Sequence, residues 1–305
     1  MSENIRLKKI EQELSHIEGL ELSRNVSAKI LTTFKGGGDV QLMISPKNLT
    51  ALTLAMRVLK AENISPLIIG KGANTIIDDR GISTPVLSLA AFSEIRKIGN
   101  LVVAGSGCSG VELMRFSKNN GLTGLEFLAG IPATVGGLVF MNAGAFGTEI
   151  NDKVVECEVL NHDLVSKIKP EFSYRKGVFE GILLSATFNL DFSTPEEIER
   201  EIERNIAMRR KKQPTEPSCG SVFKAVDGVP AAVFIEETGL KGLRIGGAEI
   251  SKKHCNFIVN VGNATASDFL KLVELIQTTV HYEFGAKLEP EFVVLKDDEK
   301  NLYEL

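Results

Sequence analysis

Gly130-Ile131-Pro132-Ala133-Thr134-Val135-Gly136-Gly137, running on into Met141-Asn142-Ala143-Gly144-Ala145-Phe146-Gly147, is the stretch on which the reading of this chain turns. Glycine at this density leaves backbone amides bare where side chains would otherwise stand. Successive N–H groups in tight turns form an anion-binding concavity, and glycine takes up the positive φ values that such turns need. Gly/Ala runs also mark places where elements pack closely, and glycine richness by itself favours that second reading. The surrounding sequence has to separate the two.

A chain of 305 residues, 43% of them hydrophobic, can bury a sizeable core and has the length of about two domains. Its net charge of −4 gives no global attraction to nucleic acid or to an anionic membrane. No apolar run approaches the roughly 20 residues of a membrane span. The charged N-terminus lacks the pattern of a signal peptide, so a cytoplasmic protein is expected; a monomer is expected as well, though no residue pattern fixes the oligomeric state. Cys108, Cys157, Cys219 and Cys255 form no C-x-x-C pair, and His16, His162, His254 and His281 are as scattered; reduced thiols and no metal site are expected.

Ile5, Ile10, Leu14, Ile17 and Leu20 recur at helical spacing and predict an amphipathic first helix. Ser45 and Pro46 suit the N-cap and first turn of a second, with Leu49, Leu52, Met56 and Leu59 as its buried stripe. Strands are predicted at 67–69, 85–89, 101–104, 154–160 and 183–190, and a helix over 111–119. Thr194 and Glu197 have capping-box spacing before Ile198, Ile202 and Ile206. Beyond them, 257–259 reads as a strand, Ser267 as the cap of a helix carrying Phe269, Leu272, Val273, Ile276 and Val280, and 292–295 as a closing strand. Without a regular βαβ alternation, the fold class is α+β rather than a doubly wound sheet.

Gly70-Lys71-Gly72-Ala73-Asn74, continuing into Thr75, follows the first predicted strand of the body and has no third glycine to complete a dinucleotide fingerprint. With Gly-Ile-Pro-x-Thr-Val-Gly-Gly and Met-Asn-Ala-Gly-Ala it resembles the two flavin loops of the UDP-N-acetylenolpyruvoylglucosamine reductase (MurB) family. Blocks similar to that family's run in its order from about residue 24 to residue 295, among them Thr32 to Gly38, Gly121 to Phe127, Gly239 to Gly242 and His254 to Asn260. The resemblance implies a two-lobed FAD-binding region of the flavin-oxidase (PCMH-like) type over 1–193, with lobes of about 1–85 and 86–193. A smaller α+β substrate domain over 194–305 would follow.

It also implies a site. Contacts to non-covalent FAD would come from Gly70, Lys71, Gly72, Ala73, Asn74 and Thr75, from Gly130, Ile131, Pro132, Ala133, Thr134, Gly136 and Gly137, and from Asn142, Gly144 and Arg209. Tyr174-Arg175 matches the family's Tyr-Arg motif, in which the arginine meets the enolpyruvyl carboxylate. Gly220-Ser221-Val222-Phe223-Lys224 matches the motif whose serine donates a proton, and Leu288-Glu289-Pro290-Glu291 the one whose second glutamate supports the intermediate. Catalytic roles would fall to Arg175, Ser221 and Glu291, and substrate contacts to Tyr174, Lys212 and Lys224. Each alone also reads as an exposed arginine, a turn serine or a solvated carboxylate.

The activity so implied is NADPH-dependent reduction of UDP-N-acetylglucosamine enolpyruvate to UDP-N-acetylmuramate, through FAD, for peptidoglycan synthesis. Two departures stand out: Gly177 where the family pattern has serine, and Ala225 where it has an asparagine that contacts uridine. The short interval from Tyr174 to Ser221 resembles the compact subclass without a tyrosine-bearing lid. The alternatives are a flavin oxidase of the same broad fold, or a catalytically silent flavin or nucleotide-sugar binding protein.

Overall fold

The structure, a computed structural model, describes residues 3–297; the outer ends of the expected first and last regions, and the side chain of Ile5, lie outside the described residues. Three sheets carry the molecule. In the first, the strands Leu20–Ser27, Asp39–Pro46, Val86–Ser88 and Leu67–Ile69 lie side by side in that order. The first pair is antiparallel and the rest parallel. The helices Glu3–Leu14 and Leu49–Ala61 share a core with it, in which Ile10, Leu14, Leu42, Ile44, Leu52 and Leu59 are fully buried.

The second sheet is antiparallel and five-stranded, ordered Leu164–Ile168, Val154–Asn161, Ile182–Asn189, Leu101–Gly105, Ile95–Ile98. Helices Gly110–Asn119 and Val135–Phe140 cover it through Leu113, Leu138 and Val139, which meet Val102, Ala104 and Phe188. The long helix Pro195–Lys212 packs Ile198 and Ile202 against Met114 and Ala129 of this region.

The third sheet runs Arg244–Ile245, Ala248–Ile250, Ile258–Asn260, backed by helices Ala231–Glu237 and Ala266–Phe284. Its core is not made by the last third of the chain alone. Phe34 and Ile76 are fully buried in it, with Phe34 edge-on to Phe269 at 5.1 Å between ring centroids. The strand Val293–Leu295 pairs in parallel with Thr75–Ile77, directly after the first glycine loop. Two carboxylates join the same regions: Asp79 accepts from the Ala266 and Ser267 amides at 2.7 and 2.8 Å, and Asp297 accepts from the amides and hydroxyls of Ser83 and Thr84.

The predicted strands and most helices are present, and three terminus assignments are corrected. The first helix stops at Leu14; Ile17 lies in a turn and Leu20 opens a strand. Ser45 and Pro46 end the strand Asp39–Pro46, and Asn48 is the cap, its side chain accepting from the Ala51 amide. Proline is tolerated there because a strand's terminal residue need not donate to the ladder. Thr265, not Ser267, caps the Ala266–Phe284 helix, in a capping box with Asp268. Ser267 instead gives its hydroxyl to Asp79. Thr194 caps as predicted, while the Glu197 carboxylate takes the Ser193 hydroxyl at 2.7 Å. All four cysteines are free and buried, burial pushing the Cys157 and Cys219 thiols up to about 12. Among the described residues no cluster of His, Cys, Asp or Glu could hold a metal ion, and no helix is long and apolar enough to cross a membrane.

Candidate active site

The two glycine loops, 60 residues apart in sequence, touch. Gly70 lies so close to Thr134 that a β-carbon on it would stand 2.4 Å from the threonine hydroxyl. Gly72 holds φ at +56°, and a β-carbon there would stand 2.3 Å from the Leu31 carbonyl oxygen, so glycine is required for both reasons. Among the described residues, the amides of Lys71, Gly72, Ala73 and Asn74 donate to no protein acceptor. That row of donors, on a loop open to solvent at Gly70 and Lys71, is the arrangement a diphosphate accepts from.

The second loop is less bare than its glycines suggest. Val135 and Gly136 donate to the Cys108 and Ser106 carbonyls, both at 2.8 Å, and Gly137 donates to the Thr134 hydroxyl that caps the following helix. Ile131 and Ala133 donate within the turn to Leu128 and Ile131, and Pro132 has no N–H to offer. Gly130 and Thr134 keep amides without a protein acceptor among the described residues. Close packing and anion binding are thus both present in this stretch, at different residues. The donor rows and the close-packed glycines fit a dinucleotide cofactor; the residues that would line it are Gly70 to Thr75 and Gly130 to Thr134.

Arg175 and Tyr174 form the two-residue turn of a hairpin, Glu171–Ser173 with Lys176–Val178. Arg175 takes a left-handed φ of +56°, a conformation a non-glycine residue adopts at a cost of roughly 1–3 kcal/mol. The turn is pressed onto the Val135–Phe140 helix: a β-carbon at position 177 would stand 2.4 Å from the Val139 carbonyl oxygen, which accounts for Gly177 in place of serine. So seated, Arg175 places its Nε 3.0 Å from a carboxylate oxygen of Glu291 and its Nη1 3.5 Å from Glu149. Its guanidinium sits over the Tyr174 ring at 5.1 Å, and that ring is half exposed.

Glu291 comes to Arg175 from the other end of the chain. Its backbone carbonyl accepts from the Asn74 side chain at 2.9 Å, and the Val293 amide donates to Asn74 O at 2.9 Å, so the first glycine loop and the residue beside Arg175 are tied together. The Glu291 amide donates to Val222 O at 2.8 Å and Lys224 N donates to Glu289 O at 2.9 Å, which lays the Ser221 segment alongside it. Asn256 grips that segment from the far side, accepting from Phe223 N and donating to Phe223 O. Lys224 adds a cation, its Nζ 3.6 Å from Glu289. Burial pushes the Glu291 carboxyl above the usual carboxylate range, with Arg175 and Lys224 pulling it partly back.

Arg209, near the end of the Pro195–Lys212 helix, lies against Gly130, where a β-carbon would stand 2.9 Å from Arg209 Cδ. It donates to Phe127 O and Gln213, sits 5.2 Å from the Phe146 ring centroid, and has its pKa lowered by burial. The loop residues, Arg175, Ser221, Lys224, Glu291 and Arg209 are therefore drawn into one region. Lys212 is not drawn in: it is exposed, with no ion pair among the described residues. Asn142 lies close by but its amide is engaged within the protein, donating to Glu149 at 2.9 Å and Ser173 O at 3.1 Å and accepting from Asn151 N. Sequence reasoning missed Glu149, Asn256 and Phe146. Phe146 lies in the quoted Gly-Ala run and Glu149 just beyond it, but nothing in their spacing points Phe146 at Arg209 or Glu149 at an arginine 26 residues on.

Residues 40–163 match the FAD binding domain model and residues 213–295 the model described as UDP-N-acetylenolpyruvoylglucosamine reductase, C-terminal domain. The UDP-N-acetylenolpyruvoylglucosamine reductase of Caldicellulosiruptor saccharolyticus is 40% identical over 298 residues, covering 94% of this chain and 96% of that one. That of Lactococcus lactis subsp. cremoris is 38% identical over 293 residues, covering 93% and 98%. In structure, the UDP-N-acetylenolpyruvylglucosamine reductase (MurB) of Thermus caldophilus superimposes with a TM-score of 0.79 at 32% identity, over 91% of this chain and all of that one. An FAD-binding α+β body joined to a reductase C-terminal domain, matched over nearly its whole length by such relatives, places this chain in the UDP-N-acetylenolpyruvoylglucosamine reductase (MurB) family.

Proposed function

We propose that this protein is an FAD-containing oxidoreductase that uses NADPH to reduce UDP-N-acetylglucosamine enolpyruvate to UDP-N-acetylmuramate, in peptidoglycan precursor synthesis. The observation that carries the reading is the meeting of Arg175 with Glu291 beside the bare amides of the Gly70 loop. A flavin bound there supplies hydride relay from NADPH to the methylene carbon of the enolpyruvyl group. As hydride arrives, the carbon–carbon double bond's electron pair moves onto the neighbouring carbon and its carboxylate. Arg175 stabilises that charge, since a planar guanidinium with donors still open matches a carboxylate edge to edge. The Ser221 hydroxyl delivers the proton that completes the lactyl ether, and the ammonium of Lys224, its neighbour in sequence, would ease the loss of that proton from a weak acid. Burial raises the pKa of Glu291, with Arg175 and Lys224 opposing it, so a neutral carboxyl is less costly there than in water.

In this reading Gly70 to Thr75 and Gly130 to Thr134 hold the cofactor diphosphate and flavin through backbone, Arg209 adds a cation, and Tyr174 and Lys224 face the nucleotide-sugar. The protein acts as a cytoplasmic monomer on a small-molecule substrate, without nucleic-acid or membrane partners. Purified protein should be yellow, release all its FAD on acid precipitation, bleach with NADPH under anaerobic conditions, and regain its colour on addition of the enolpyruvyl nucleotide with formation of UDP-N-acetylmuramate by mass. Bleaching followed by reoxidation with oxygen alone would favour a flavin oxidase instead.

A further inference from the structure

Arg175 stands between two carboxylates, and only Glu291 belongs to the residues recognised from sequence. The second, Glu149, is itself held in place. One of its oxygens accepts from Asn142 Nδ2 at 2.9 Å, the other lies 3.5 Å from Arg175 Nη1, and its backbone amide donates to Asp152. Asn142 is 1% exposed and every donor and acceptor of its amide is engaged, so the Glu149 carboxylate cannot turn freely. Gly144 opens the room for this contact: a β-carbon there would stand 2.7 Å from Glu149 Cγ and 3.0 Å from Arg175 Nη1.

We infer that Glu149 is a positioning residue for the reduction, one that aims Arg175 rather than touching substrate. This inference rests on the proposed carboxylate-binding role of Arg175. Arginine carries considerable rotamer entropy, which a substrate carboxylate would otherwise have to remove on binding. With Nη1 in a 3.5 Å contact to Glu149 and Nε in an ion pair with Glu291, though without a hydrogen bond there, part of that freedom is already lost, and among the described residues Nη2 makes no hydrogen bond. The open nitrogen is presented at a fixed angle. Two carboxylates around one guanidinium also leave the group one negative charge in excess when both are ionised. A substrate carboxylate therefore enters most readily when the more buried of them, Glu291, carries a proton.

The test compares Glu149→Ala and Glu149→Gln with wild type in the FAD-loaded protein, by stopped flow and by NMR of the arginine Nε–Hε signals after 15N-arginine labelling. The Arg175 signal is identified by its disappearance in Arg175→Lys. Glu149→Ala is expected to keep FAD content and reduction by NADPH nearly unchanged, to shift and broaden the Arg175 signal, and to slow reoxidation by the enolpyruvyl nucleotide by roughly 10- to 100-fold, as displacement of an orienting group does. Glu149→Gln, whose amide oxygen can still accept from Arg175, should fall between. An unchanged Arg175 signal with unchanged reoxidation overturns the inference, and so does a parallel loss of FAD, reduction and reoxidation, which would make Glu149 a structural residue. Wild-type protein that the nucleotide cannot reoxidise would overturn the proposed function instead, while the NMR arm still decides whether Glu149 holds Arg175.

Discussion

The glycine loops at 70–75 and 130–137 offer backbone, with the bare Gly70 against the Thr134 side chain and a row of unpaired amides on the first loop among the described residues. Arg175 and Glu291 meet as side chains, from a hairpin turn and from the approach to the strand Val293–Leu295, and backbone bonds lay the extended Ser221 segment beside Glu291. Main-chain donors are indifferent to residue identity except where a β-carbon would block them. Such a site tolerates Lys71 or Ala133 but not a replacement at Gly72. A site made of side chains behaves in the opposite way: each group is irreplaceable, and its position depends on how three distant segments are held. Asn74 joins the two, with its loop in the first and its amide on the Glu291 carbonyl.

The largest effect should come from the side-chain site. Ser221→Ala is expected to slow flavin reoxidation by the enolpyruvyl nucleotide by roughly 10²–10⁴ while NADPH reduces the flavin as before. Equal reoxidation in stopped-flow traces of mutant and wild type would remove Ser221 from the chemistry. The backbone site should break differently, through stability and cofactor content. Gly72→Ala forces a side chain into positive φ at a cost of roughly 1–3 kcal/mol before its clash with the Leu31 carbonyl is counted. Its denaturation midpoint and its bound FAD should both drop, and a fully loaded, equally stable variant would contradict the geometry described for that loop.

A milder change sharpens the contrast at the substrate end. Ala225 is exposed, just ahead of a tight turn through Asp227 and Gly228, so a larger side chain fits there. Restoring the family's asparagine with Ala225→Asn should lower the apparent KM about two- to tenfold, the worth of one net hydrogen bond, with kcat little changed. A KM that stays level or rises would mean that the uridine end is held by other residues.

The smallest effect is a slope against pH. Burial raises the Glu291 pKa in the folded protein, so the folded state binds that proton more tightly than the unfolded chain does. The stability so contributed is complete below the ordinary glutamate pKa and is lost as pH rises through the folded value. Glu291→Gln removes this dependence. Wild type should therefore lose stability relative to the variant as pH is raised from the acid range to neutrality, followed by denaturant titration. A difference that grows with pH would show that the pair with Arg175 outweighs burial.

Much of the fold was legible because it is local. Ile198 and Ile202 mark one face of the Pro195–Lys212 helix, and the Ala266–Phe284 helix shows the same spacing at Phe269, Leu272, Val273, Ile276 and Val280. The misplaced ends, at Asn48 and Thr265, were lost to neighbouring residues of equal capping ability. In both places the outcome depended on a partner far along the chain. Leu20 draws Pro46 into a strand, and Asp79 draws the Ser267 hydroxyl away from the helix end.

By itself the sequence determined the α+β class and the two glycine loops, because glycine needs are properties of neighbouring residues, whereas Arg175, Ser221 and Glu291 were singled out only through the family resemblance. Only the tertiary structure decided which amides of the Gly130 loop remain open, why position 177 is glycine, and that Glu149 shares Arg175 with Glu291. Those depend on distances between segments far apart in the chain, which the packing of Phe34 and Ile76 into the C-terminal core helps establish and which no local pattern encodes.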